Sequence, residues 1–168
     1  IGDRAGVRAV AERLVVDPNF ATHATDRAEL VDIVSKALDG EELALALRAL
    51  TVTITDPGAA ESLLRSSLEA ALQSERRDLE ARLLLGLCEL GYSSLRVEDL
   101  RQHAQRLGEL AVVGEPEAQR VAFLPQIYLR RMTGRTESVI EVVDTLIADG
   151  AVFDDEMRAL ALFYRTVS

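Results

Sequence analysis

The sequence predicts an all-α fold, and three observations carry that prediction. Apolar residues recur at helical spacing along nearly the whole chain. Valine and isoleucine are too scattered for alternating strands, and glycine and proline sit mostly between the periodic segments. Nine helices follow, paired into about four hairpins, and the architecture expected of them is a right-handed α-solenoid that forms one helical-repeat domain over residues 1–168.

The first predicted helix runs from about Asp3 to Val16, with Val7, Val10 and Leu14 on one face, and Asp17-Pro18-Asn19 ends it. The second opens at Asp26, where Glu29 completes a capping box, and carries Leu30, Ile33, Val34, Ala37 and Leu38 up to Gly40. A third, about Glu41 to Thr51, presents Leu43, Leu47 and Leu50. The β-prone run Thr51-Val52-Thr53-Ile54-Thr55 has no partner strand and reads as a helix end or linker. Asp56-Pro57 starts the fourth helix with an acidic cap and a proline in the first turn, ahead of Leu63, Leu64, Leu68, Ala71 and Leu72. Ser74 is placed as the cap of the fifth, which runs to about Leu90 and stops at Gly91.

The sixth helix starts near Ser94, holds Glu98 and Asp99 in its first turns and presents Leu100, Ala104, Leu107 and Leu110, with Gly114 closing the loop that follows. The seventh spans about Glu115 to Met132, opens on Glu115-Pro116-Glu117 and is broken by Gly134. Pro125 inside it lacks an N–H and crowds the previous turn, at a cost of about 3 kcal/mol, so a kink is expected there. The eighth runs from about Thr136 to Ala148 and the ninth from about Asp154 to Tyr164.

Alternate helices share a pattern. Leu30/Val34/Ala37, Leu64/Leu68/Ala71, Leu100/Ala104/Leu107 and Val139/Val143/Leu146 are apolar triplets at i, i+4 and i+7, and they lie 34, 36 and 39 residues apart. A hairpin of this size cannot bury its apolar face alone, whereas stacked hairpins share one core. The helix-turn-helix layout with a period near 34, the run Leu84-Leu85-Gly86 and the small residues Ala37, Ala71 and Ala104 resemble degenerate tetratricopeptide repeats. The tract from Asp56-Pro57 to Gly134 is similar to the solenoid segment of MalT-like and LuxR-type bacterial transcriptional regulators. That resemblance implies a sensor or interaction module of a larger signalling protein, in which an ATPase module precedes the solenoid and a DNA-binding helix-turn-helix can follow it.

Composition narrows the function. Acidic residues number 28 and basic residues 19, for a formal charge of −9, which opposes a phosphate backbone and argues against nucleic-acid binding by this segment. A single cysteine, Cys88, and two histidines, His23 and His103, supply neither an internal disulfide nor a Cys/His zinc site, and no metal or cofactor is expected. Apolar runs such as Leu83-Leu84-Leu85 stop within a few residues, so no membrane span and no signal peptide is expected, and the compartment predicted is the cytoplasm. The chain starts at Ile1, which reads as a fragment of a longer protein.

Motifs with catalytic potential yield to structural readings. Gly86-Leu87-Cys88-Glu89-Leu90-Gly91-Tyr92-Ser93 imitates a phosphate loop, but Tyr92 stands where the lysine is needed. Cys88 on a leucine-rich helix reads as buried and inert, and His103, among Arg101, Gln102, Gln105 and Arg106, as exposed. The acidic pairs Glu41-Glu42, Glu98-Asp99 and the run Asp154-Asp155-Glu156 lie at helix starts, where they complement the dipole. Arg130, Arg131 and Arg135 flank Gly134 and read as cations at a helix end, with anion binding as the alternative.

The expectation is therefore a protein without enzymatic activity that recognises a protein or peptide partner, or a small-molecule effector. Arg48, Arg82, Glu89, Gln126 and Arg130 are the candidate contacts on a concave face. Phe123, Tyr128 and Tyr164 are the candidate walls of an aromatic groove, with thickening of the core as the other reading. An oligomerisation or scaffolding segment that joins partners, a homo-oligomer among them, without a small-molecule ligand is the alternative function, favoured if Leu160, Leu162 and Phe163 stay uncovered.

Overall fold

A computed structural model describes residues 56–148 and 155–167, together with positions 6, 9, 33–36, 38–40, 43, 46 and 47. The described residues form seven helices and no strand: α1 (Pro57–Gln73), α2 (Arg77–Ser93), α3 (Val97–Val112), α4 (Pro116–Val121), α5 (Phe123–Met132), α6 (Glu137–Ala148) and α7 (Asp155–Thr166). The first three predicted helices and the β-prone run 51–55 lie largely outside the described residues. The chain divides into two compact units, Ile1–Leu83 and Leu84–Ser168.

Helix starts follow from local chemistry. The Asp56 carboxylate accepts a hydrogen bond from the Ala59 N–H at 2.7 Å, and Glu115 does the same for Ala118 at 2.6 Å, each just before a proline that needs no acceptor. Burial follows the apolar triplets. Leu64 and Ala71 are buried in the first unit, and Leu100, Ala104, Leu107, Val139 and Val143 in the second. In the second unit α3 packs against α4 and α5, α5 against α6, and α6 against α7.

Four interhelix turns share one geometry. Glu75, Leu95, Gly114 and Gly134 adopt φ of 55°, 57°, 85° and 71°. The next residue's N–H then donates to a carbonyl five positions back: Arg76 to Ala71 at 3.1 Å, Arg96 to Gly91 at 2.8 Å, Glu115 to Leu110 at 3.1 Å and Arg135 to Arg130 at 2.8 Å. This is the Schellman closure, which satisfies carbonyls that the helix end leaves open. The left-handed residues stand at 75, 95, 114 and 134, so the turns recur every 19 or 20 residues, with one helix in each of the first two intervals and two, α4 and α5, in the third.

Several boundaries differ from expectation for tertiary reasons. Gly91 does not end α2, which continues to Ser93. It faces α3 instead, where a Cβ would meet the Leu100 backbone nitrogen at 3.2 Å. Ser74 does not start α2 but closes α1, its hydroxyl donating to the carbonyls of Ala70 and Ala71 at 2.9 and 3.1 Å. The next helix after Ser94 begins at Val97, once the turn at Leu95 is complete. The segment from Glu115 to Met132 is two helices, α4 and α5, separated at Ala122. Pro125 explains the break, because it has no N–H to offer the Val121 carbonyl.

Two comparisons test this packing. Gly91→Ala should lower stability by about 1–3 kcal/mol because crowding against Leu100 outweighs the helix-propensity gain. Gly108→Ala, with nothing within 4 Å of the new methyl, should raise it by about 0.5–1 kcal/mol. Urea midpoints read both, and equal shifts would remove the close-approach role of Gly91. At the start of α2, Arg76 donates from Nε and Nη2 to both Asp78 oxygens at 2.8 and 2.7 Å. This hydrogen bonding holds the Asp78 carboxyl down at about 2, against an ordinary 3.8. A depressed folded pKa stabilises above the ordinary value, so the contribution should be intact above pH 3.8 and lost as pH falls through about 2. Asp78→Asn should flatten that acid limb in denaturation curves taken across the same window.

Candidate functional site

The three tyrosines of the chain stand at 92, 128 and 164, two equal intervals of 36 residues. They lie on α2, α5 and α7 and touch in sequence. Tyr92 and Tyr128 stack with centroids 4.7 Å apart and planes 17° from parallel. Tyr164 meets Tyr128 edge-on at 6.1 Å, and Phe163 meets Tyr164 at 5.6 Å. The Arg131 guanidinium lies 5.6 Å from the Tyr164 ring centre, within cation–π range. Each ring pair adds about 0.5–1.5 kcal/mol beyond area burial.

This arrangement changes the role of the predicted aromatic groove. Phe123 and Tyr128 are buried, and Tyr128 has Tyr92 on one side and Tyr164 on the other. Both residues fill the core of the second unit rather than wall a groove, while Tyr164 stays half-buried at its margin. Tyr92 was absent from the predicted cluster, and its signal is the equal spacing of the tyrosines.

Burial raises the pKa of two groups in the second unit. Burial, then the nearby Glu89 charge, pushes the Cys88 thiol up to about 12, and its sulfur lies 4.0 Å from the Leu100 carbonyl oxygen. Burial is also the main cause that drives the Tyr128 phenol far above its ordinary value, helped by Glu89 and by a hydrogen bond with Tyr164. Neither group is a thiolate or phenolate near neutral pH. His103 is not exposed as expected: it is 8% accessible, because it shares the inward face of α3 with Leu100, Ala104 and Leu107 despite polar sequence neighbours. His23 lies outside the described residues. Residues Gly86 to Ser93, which imitate a phosphate loop, are helical throughout.

The concave-face candidates divide. Arg48 lies outside the described residues. Arg82 is exposed in the first unit, and Glu89 and Gln126 are exposed in the second. Arg130 is half-buried and donates to the Gln126 backbone carbonyl at 3.2 Å and side-chain oxygen at 3.4 Å, so these two form a local pair. Arg131 turns to Tyr164, and Arg135 lies exposed in the turn. In the first unit an open hollow at the α1–α2 turn is lined by Ala71, Leu72, Glu75, Arg77 and Glu80.

Among the described residues no three His, Cys, Asp or Glu side chains gather as a metal site requires, and no helix is long and apolar enough to cross a membrane. Comparison with family models, with curated proteins and with solved structures finds no match to this chain. The class that the fold defines is an all-helical protein.

The thiol supplies a direct check. A thiol reagent at mildly alkaline pH should leave Cys88 unlabelled in the folded protein, with labelling that tracks unfolding by denaturant. Labelling at the rate of a free cysteine would contradict its burial and raised pKa.

Proposed function

We propose that this chain is a recognition module of stacked helical hairpins, a tetratricopeptide-like α-solenoid without enzymatic activity, in a cytoplasmic bacterial signalling or transcriptional regulator. The observation that carries the reading is the recurrence of one turn geometry at 75, 95, 114 and 134, with α2, α3 and then the pair α4 and α5 between successive turns. A regular stack holds side chains from alternate helices at fixed spacing, and a rigid frame lowers the ordering cost of binding a partner. The tyrosine contacts supply such a frame from α2 through α5 to α7. Glu89, Gln126 and Arg130 offer polar groups on two of these helices for a protein or peptide, or for a small-molecule effector. The non-enzymatic reading is supported by the neutral Cys88 and Tyr128 and by carboxylates such as Asp56 and Glu115 that cap helices.

A second reading, homo-oligomerisation, is favoured by Leu162 and Phe163, which remain exposed on α7 with Leu160 half-buried beside them.

For the recognition reading, Gln126→Ala combined with Arg130→Ala should leave the circular dichroism spectrum and melting midpoint within error of the parent. Partners enriched by the tagged chain and quantified by mass spectrometry should fall about tenfold, the loss of roughly 1.4 kcal/mol of binding free energy. An unchanged set of partners would remove these residues from the interface. For the regulator assignment, an ATPase module with a true phosphate loop encoded next to this segment is the expected result, and an unrelated neighbour would overturn it.

A further inference from the structure

We propose that the last turn of α5 and the turn into α6 take an acidic segment of a peptide or protein partner, whose carboxylates meet Arg130, Arg131 and Arg135. The proposal rests on the recognition reading and assigns the partner a chemistry. In a chain of formal charge −9, the 19 residues from Ala118 to Thr136 are the longest run without Asp or Glu, and they hold Arg120, Arg130, Arg131 and Arg135. Five other arginines of the second unit are engaged by carboxylates: Arg96 by Asp99, Arg101 by Glu98, Arg106 by Glu109, Arg120 by Glu117 and Arg165 by Asp144. Among the described residues Arg130, Arg131 and Arg135 reach no carboxylate, and all three belong to one turn and the helix end before it. Arg158, the remaining arginine of this unit, lies on another helix, α7.

The contacts these three make within the chain are weak ones. Arg130 Nη1 donates to the backbone and side-chain oxygens of Gln126, both neutral, at 3.2 and 3.4 Å, whereas Arg120 and Arg165 hold their carboxylates at 2.9 and 2.8 Å. Arg131 faces the Tyr164 ring. Arg135 is exposed, and its N–H donates to the Arg130 carbonyl at 2.8 Å, so the two side chains leave from adjoining backbone. Gly134 in the same turn has nothing within 4 Å of where a Cβ would stand, which leaves the turn open to an approaching chain. Guanidinium groups match carboxylates bidentately, and arginine clusters are a recurring means of holding acidic motifs. The patch is also bounded: Glu137 and Glu141 lie exposed on α6 just beyond the turn, and Glu89 lies exposed on α2. Those acids suit a short acidic stretch and oppose a phosphate backbone that would run on past them.

Fluorescence anisotropy of a labelled oligoglutamate peptide against the full 168-residue chain tests this, with an oligothymidylate of equal charge as the second probe. Saturable binding of oligoglutamate is expected at low salt, weakening as salt is added. Arg135→Glu should weaken it at least tenfold with helix content unchanged, and Arg130→Lys, which keeps the charge, should cost less affinity than Arg130→Ala. Arg106→Glu makes the same change of net charge on α3 and should leave the affinity within twofold. Absence of oligoglutamate binding would overturn the acidic partner. Equal losses from Arg135→Glu and Arg106→Glu would overturn it too, since net charge alone would then explain the binding. Tighter binding of the oligothymidylate through the same arginines would replace the peptide with a nucleic acid. If cellular partners still fall with Gln126→Ala and Arg130→Ala while oligoglutamate fails to bind, the recognition reading stands and only the acidic chemistry of the partner is overturned.

Discussion

No helix in this chain can bury its apolar stripe by itself, and the other features answer to that constraint. Helices of 10 to 17 residues, such as α5 and α1, are marginal in isolation, so their stability comes from the neighbour each one finds. The stripe Leu100, Ala104 and Leu107 shows the consequence: two leucines supply apolar area and the alanine between them lets the facing helix approach. Close approach requires short reversals, and the left-handed residue with its five-back hydrogen bond provides them. Where the reversal is made by Leu95 instead of glycine, the backbone carries about 1 kcal/mol of strain that the packing on either side outweighs.

Features set by neighbours in the chain were legible in the sequence. Asp56-Pro57 and Glu115-Pro116 start helices because a cap and a proline act within three residues, and Pro125 divides α4 from α5 because a missing N–H is a local fact. Features set across helices were not. Gly91 looks like a helix stop in one dimension, and only the proximity of Leu100 shows that its missing side chain serves packing. Glu75 and Leu95 take positive φ without the glycine that would announce it. His103 was misjudged by its sequence neighbours, although its spacing from Leu100 and Leu107 places it on their face.

The candidate site was half legible. Gln126 and Arg130, four residues apart on one helix, do come together, and of the two readings of the aromatic residues near the C-terminal end, core and groove wall, the burial of Phe123 and Tyr128 matches the core. Tyr92 was missed because it lies far from that cluster in sequence, yet the interval of 36 residues that joins it to Tyr128 and Tyr164 can be read from the sequence itself. The acidity of the chain is of a similar kind. Much of it is spent at helix ends and in exposed pairs such as Glu98 with Arg101 and Glu109 with Arg106, which contribute little individually but keep the outer faces hydrated.

In the second unit the principal contacts join a helix to the next one or to the one after that, as α3 does with α4 and α5. Loop closures on the way to the native state of this unit are correspondingly short, so ordering within it can begin locally and spread outward. Damage should spread by the same rule, and its reach depends on position. Tyr164, at the margin of the ring contacts, can loosen without disturbing Tyr92. Tyr128 is held from both sides, and its displacement would uncouple α2 from α7 at once. Within this unit a change at the marginal ring is therefore tolerated far more readily than a change of register at the middle one.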